Sequence, residues 1–201
     1  MQGLSRDQRR VCCIAILIEM FAVGPVIASA QGVKTGANSF VLRSTDRNLM
    51  SLVDQGLARS ATLRDLVRHL ERAQVIVYLS KGTLPPATEG RTRLLTAANG
   101  WRYLSIDFDW RLANFDLIAR LGHELQHATE IADCMEVVDE PSLAALYERI
   151  GTRQSHAMSP ITTYETTRAL EVGRQIYREL FADDRIQTSA RLRLSTAHQM
   201  K

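Results

Sequence analysis

The chain predicts an α+β fold, and three observations carry that reading. Segments with apolar residues at helical spacing surround one short β-branched run, "QVIVYLS". The dipeptide Asn99-Gly100 separates two apolar stretches as a tight hairpin turn does. A long helical pattern then follows the hairpin, where an α/β chain would keep alternating. At 201 residues the chain is long enough for one domain with a real core. A formal charge of +3, dispersed along the chain, excludes nucleic acid as the expected main partner.

The first 30 residues differ from the rest. Arg6, Arg9 and Arg10 precede the apolar run "VCCIAILI", and "MFAVGPVIASA" ends in the small residues Ala28-Ser29-Ala30. That layout predicts a secretory signal peptide over residues 1–30, cut after Ala30. The lesser reading is an uncleaved membrane anchor, and only then is a membrane a partner. Glu19 weakens it, because a carboxylate near a bilayer centre costs on the order of 3 kcal/mol. The expected location is therefore outside the cytoplasm, periplasmic or extracellular. Cys12 and Cys13 leave with the signal, so the mature chain keeps Cys134 alone and has no internal disulfide.

The mature chain is then read as a domain over residues 31–181 and a loosely ordered polar tail over 182–201. "STDRNLMSLVDQGLARSATLRDLVRHLERA" predicts two helices, with Ser60 or Thr62 capping the second. Residues 74–80 predict a strand, and 93–98 with 101–108 predict the hairpin arms. Residues 115–133 predict a long helix. "DEPSLAALYERIG" predicts another, with Pro141 in its first turn and Gly151 just past its end. "TRQSHAMSP" reads as loop, and "TYETTRALEVGRQIYRELF" as the last strong helix. Trp101 and Trp110 are expected to pack, while His69 and His198 look incidental.

The chemistry is expected in "GHELQHATE", residues 122–130. With 5 histidines in 201 residues, a chance His-Glu-x-x-His is expected only about 0.007 times. At about 100° per residue, Leu117, Leu121, Leu125, Ala128 and Ala132 gather on one side of the helix. His123 and His127 lie about 40° apart on the opposite side, where both rings can reach one ion. Glu124 falls about 100° round, beside such an ion and not on it. Two neutral imidazoles as ligands and an adjacent carboxylate are what a metal-activated water requires. The plainer alternative is a solvated helix face on which two histidines happen to be neighbours.

"LGHELQHATEIAD" resembles the active-site helix of the zincin metallopeptidases. More narrowly, the order "LGHELQHATEIAD", "MEVVDE", "LYERIG", "YET" resembles small secreted bacterial proteins of the zincin type, over about residues 74–180. The resemblance implies a minimal zincin-like fold, in which a small sheet with a hairpin packs on the motif helix. It brings no particular substrate.

A catalytic zinc usually takes three protein ligands. The metzincin pattern is excluded, since Glu130 and Asp133 stand where it needs glycine and histidine. The gluzincin arrangement takes a glutamate from a later helix, for which the candidates are Glu165, Glu171, Glu136 and Glu140, with His156 as an outsider. Glu165 is favoured as the residue that opens the last helix. Its rival role is structural, because Thr162-x-x-Glu165 reads as a capping box. Glu130 could accept the second ring N–H of His127. Cys134 is expected to be structural, and Tyr147, Tyr164 and His156 are weak candidates to steady an oxyanion. The expected function is hydrolysis of peptide or protein by a Zn²⁺ site of His123, His127 and Glu165, with Glu124 as general base. The strand "WRYLSIDF" is the expected edge for an extended peptide. The alternative is a non-catalytic binding module that keeps the metal as a staple.

Overall fold

The computed structural model describes residues 40–85, 88–109, 111–155 and 162–182. The expected signal segment, Trp110, His156, His198 and residues 183–201 of the expected tail lie outside the described residues. The elements run β1 (Leu42–Arg43), α1 (Arg47–Arg59), α2 (Ala61–Arg72), β2 (Val75–Gly82), β3 (Gly90–Ala98), β4 (Trp101–Asp109), α3 (Asn114–Asp133), α4 (Glu140–Ile150), β5 (Thr152–Ser155) and β6 (Thr162–Glu165). A fifth helix, α5, covers residues 167–182. The fold is α+β. Among the described residues no helix is long and apolar enough to cross a membrane.

Four strands make a mixed sheet in the order β1-β2-β4-β3, with β2 parallel to both neighbours and β3 antiparallel to β4. Asn99 and Gly100 both have positive φ, 53° and 79°, as the two-residue turn between β3 and β4 demands. Strand alternation sends Val75, Val77, Leu79, Leu104, Ile106 and Phe108 into the core, each 3% exposed or less. Trp101, expected to pack, is 39% exposed beside the turn. The sheet places β4 between β2 and β3, so β4 has no free edge. The edge strands are β3 and the two-residue β1, because a hairpin's second arm can still pair outward with an earlier strand.

Helix α3 lies across the core side of this sheet and is buried on nearly every face. Arg102 of β4 fixes its far end. The buried guanidinium donates to the carbonyl oxygens of Ile131 (2.9 Å), Ala132 (3.0 Å) and Cys134 (2.7 Å). These are the acceptors a helix C-terminus leaves unpaired, at the negative end of its dipole. α5 covers the opposite side of α3 through Ala169, Val172, Ile176 and Leu180, which form one stripe at helical spacing. Ile176 fills the space where a side chain on Gly122 would stand, so the two helices approach closely at that glycine.

The segment between α4 and α5 corrects two expectations. Part of the expected loop 152–160 is strand β5, paired antiparallel with β6. Glu165 does not open a helix, because it is the last residue of β6, and α5 starts at 167. The residue types explain the shift, since "TTYE" is rich in β-formers. The helix cap is Thr166, whose Oγ1 accepts from the Ala169 amide at 3.1 Å, so the Thr162/Glu165 capping box does not form.

Glu179 ties α5 to the start of α2. Its carboxylate accepts from Ser60 Oγ and Thr62 Oγ1, both at 2.6 Å, and from the Thr62 amide at 3.2 Å. Ser60 is itself the cap of α2, accepting from Leu63 N at 3.0 Å. Burial raises the Glu179 pKa, but the hydrogen bonds from Ser60, Thr62 and Gln175 outweigh it and hold the carboxyl below its ordinary 4.5. Glu179→Ala should cost about 1–3 kcal/mol of stability by denaturant unfolding at neutral pH. Because the folded-state pKa is the lower one, this contribution is present above pH 4.5 and lost as pH falls toward the folded value. Parent and variant stabilities should therefore converge in acid.

Candidate metal centre

The motif histidines are not on a solvated face. His123 is 4% exposed, Glu124 3% and His127 6%. The rings meet edge to face, with centroids 5.0 Å apart and planes at 78°. Spacing of four along α3 puts them one above the other, and the β5–β6 hairpin brings Glu165 over both. One Glu165 oxygen stands 3.2 Å from His123 Nε2 and the other 3.4 Å from His127 Nε2.

The three residues offer donor atoms that all lie within 4.8 Å of one another. Two donors on a tetrahedral zinc, each at about 2.0–2.1 Å, stand roughly 3.4 Å apart. Each imidazole–carboxylate spacing is close to that edge length, with each nitrogen meeting a different Glu165 oxygen. A set of two nitrogens and one oxygen serves zinc and also other first-row metals. The donors present fit a divalent cation.

Of the remaining candidates, none of those among the described residues joins this group, and His156 lies outside them. Glu171 is an exposed residue of α5. Glu136 is 82% exposed in its side chain and stands 3.9 Å from Arg149. Glu140 opens α4. Cys134 ends α3 in extended conformation and receives an Arg149 contact at 3.7 Å. His69 pairs with Asp133 at 2.7 Å, across α2 and α3.

The electrostatics favour positive charge at the centre. Burial by itself would lower the pKa of His127, but hydrogen bonds to Glu130 and Glu165 and the charges of Glu124 and Glu130 push it up to about 10. Burial likewise acts to raise the Glu165 carboxyl, and the two imidazoles overcome it and bring it down to about 2. The same carboxylates that raise the His127 pKa would favour a metal cation between the rings.

Outer contacts set the orientation. Glu130 Oε2 meets His127 Nδ1 at 2.9 Å, which leaves Nε2 for the centre. Glu130 Oε1 accepts from Thr166 Oγ1 at 2.7 Å, next to Glu165. Tyr147, beneath the site, donates its hydroxyl to the His127 carbonyl at 3.3 Å and stacks on Tyr164. Burial, the surrounding glutamates and a hydrogen bond with Glu130 push its pKa well up.

Two neighbours of Glu124 were missed in the sequence. Thr92 of β3 donates to Glu124 Oε2 at 2.7 Å. Gly90 lies so close that a Cβ there would stand 2.5 Å from Glu124 Oε1. A threonine in a strand and a glycine after a loop carry no distinguishing signal. Thr166 did carry one, as a threonine directly before a helical run.

Comparison with protein-family models, with curated proteins and with solved structures gave no match. The likeness to zincins therefore rests on the residues described above.

Glu165→Gln should weaken metal binding strongly, since a neutral amide is a poor ligand. Glu130→Gln should weaken it about 10–100-fold. Glu171→Gln should leave it unchanged. Competition with a chelator measures all three, and equal affinity in the Glu165 variant and the parent would remove Glu165 from the ligand set.

Proposed function

We propose that the chain is a zinc-dependent peptidase in which His123, His127 and Glu165 hold the metal and Glu124 is the general base. Glu124 is the observation that carries this reading. It is a buried carboxylate beside the donor set and outside it, with one neutral hydroxyl as its hydrogen-bond partner among the described residues. Burying a carboxylate without a paired cation is costly. A metal kept only as a staple has no use for such a group, whereas a hydrolase needs one.

A zinc ion at this centre supplies Lewis acidity and brings the pKa of a bound water close to neutrality. Thr92 holds Glu124 Oε2, and Oε1 is left to take a proton and deliver it to the leaving amine. The absent side chain at Gly90 leaves room for that oxygen. β3, the longer of the two edge strands, starts at Gly90, so an extended peptide paired along it runs past the Glu124 carboxylate. Glu130 keeps His127 in the tautomer that presents Nε2. Together these contacts support a site organised for proton transfer.

Glu124→Gln keeps size and helix propensity but cannot accept the proton. Metal content and melting temperature should hold while hydrolysis of a casein-like unstructured protein falls by at least ~10². Undiminished turnover in the metal-replete variant would overturn the assignment. Thr92→Val should reduce kcat roughly tenfold, the equivalent of one lost hydrogen bond, and Thr92→Ser should restore it.

A further inference from the structure

Beside His123 a cleft of about 700 Å³ opens between the N-terminal half of α3 and the outer face of α5. Leu170, Arg174, Tyr177 and Arg178 of α5 form one wall, and Asp116 and Arg120 of α3 stand on the other. The charges in it are unevenly answered. Arg120 is ion-paired with Glu89. Asp116 lies in the first turn of α3, where the helix N-terminus favours its charge. Arg174 and Arg178 are exposed and have no carboxylate partner among the described residues. They are four apart on one helix, a like-charge spacing that costs a few tenths of a kcal/mol. An ordinary solvated face avoids that cost by alternating its charges.

We infer that this cleft recognises a carboxylate on the substrate peptide, close to the bond placed at His123. Arg174 and Arg178 grip the carboxylate, since guanidinium groups bind it in charge-assisted pairs. Leu170 and Tyr177 pack against the methylenes that carry it. The carboxylate belongs either to an Asp or Glu side chain or to a free C-terminus, which are the same chemistry to two arginines. The inference rests on the peptidase reading for the nature of its ligand.

The test uses metal-loaded Glu124→Gln protein, so that binding is read without turnover. N-acetylated hexapeptide libraries with one position fixed as Glu, Gln or Lys, each as C-terminal amide and as free acid, are offered, and retention is read by mass spectrometry. Glu-containing or free-acid peptides should be retained at least ~10-fold over their Gln or amide counterparts. The Glu/Gln and acid/amide arms identify which carboxylate is bound. Adding Arg174→Ala and Arg178→Ala should abolish the preference, and adding Arg174→Glu and Arg178→Glu should turn it toward Lys. Unchanged melting temperatures in these variants confirm that the fold is intact. Equal retention of charged and neutral forms, or a preference that survives the double alanine variant, overturns the inference. The two readings fail separately. If the parent hydrolyses none of these peptides while retention stays acid-selective and arginine-dependent, the peptidase reading falls and the carboxylate site stands. Hydrolysis without acid preference does the reverse.

Discussion

A single carboxylate, Glu130, joins the two halves of the candidate centre. Through Oε2 it holds the His127 ring, and through Oε1 it holds Thr166, which stands next to Glu165 and caps α5. The histidines belong to one helix and need only its regular spacing. Glu165 comes from a two-stranded hairpin outside the main sheet, and such hairpins have little stability of their own. Glu130 joins the Glu165 contacts and the Tyr147–Tyr164 stack in holding that hairpin in register with the histidine rings. The contact also fixes the start of α5, and so the position of the whole wall above α3.

The motif helix is held at both ends while its middle carries charge into the core. Arg102 satisfies the carbonyl groups of its C-terminus, and the Glu179 tie to Ser60 and Thr62 keeps α5 pressed against its flank. Between these anchors Glu124, Glu130 and Glu165 surround two imidazoles. Burial acts against charge on His127 and on Glu165, and their pairing outweighs it, raising the His127 pKa and lowering that of Glu165. Opposite charges are interleaved at this centre, and Glu124 is the carboxylate whose hydrogen-bond partner among the described residues is the neutral Thr92 hydroxyl.

Local features were legible in the sequence, and long-range ones were not. The Asn99-Gly100 turn, the Ser60 cap and the extent of α3 each follow from residue types within a few positions. The His123, Glu124 and His127 arrangement followed from helical geometry alone. Glu165 could be named as a candidate, but its element was misjudged, because "TYET" ran smoothly into an amphipathic helix and Thr166 was passed over as the cap. Placing the peptide edge on β4 failed for a topological reason. Which arm of a hairpin stays open depends on where β2 docks, and no spacing in the sequence encodes that. Thr92, Gly90 and Arg102 act across 29 or more positions, as the pairs Thr92–Glu124 and Arg102–Ile131 illustrate, and only the folded chain brings them into contact.

The location of Glu165 on that distant hairpin has a kinetic side. The histidine pair needs α3 alone, whereas Glu165 arrives only after some forty residues have looped back, against a closure entropy that must already be met. An unfolded chain can therefore hold an ion no better than two imidazoles allow, and the complete set belongs to the native state alone. An ion that binds only the native state stabilises it by mass action, about 4 kcal/mol at a free concentration a thousand times its Kd. If the proposed ion binds here, its supply would set how long the chain stays folded.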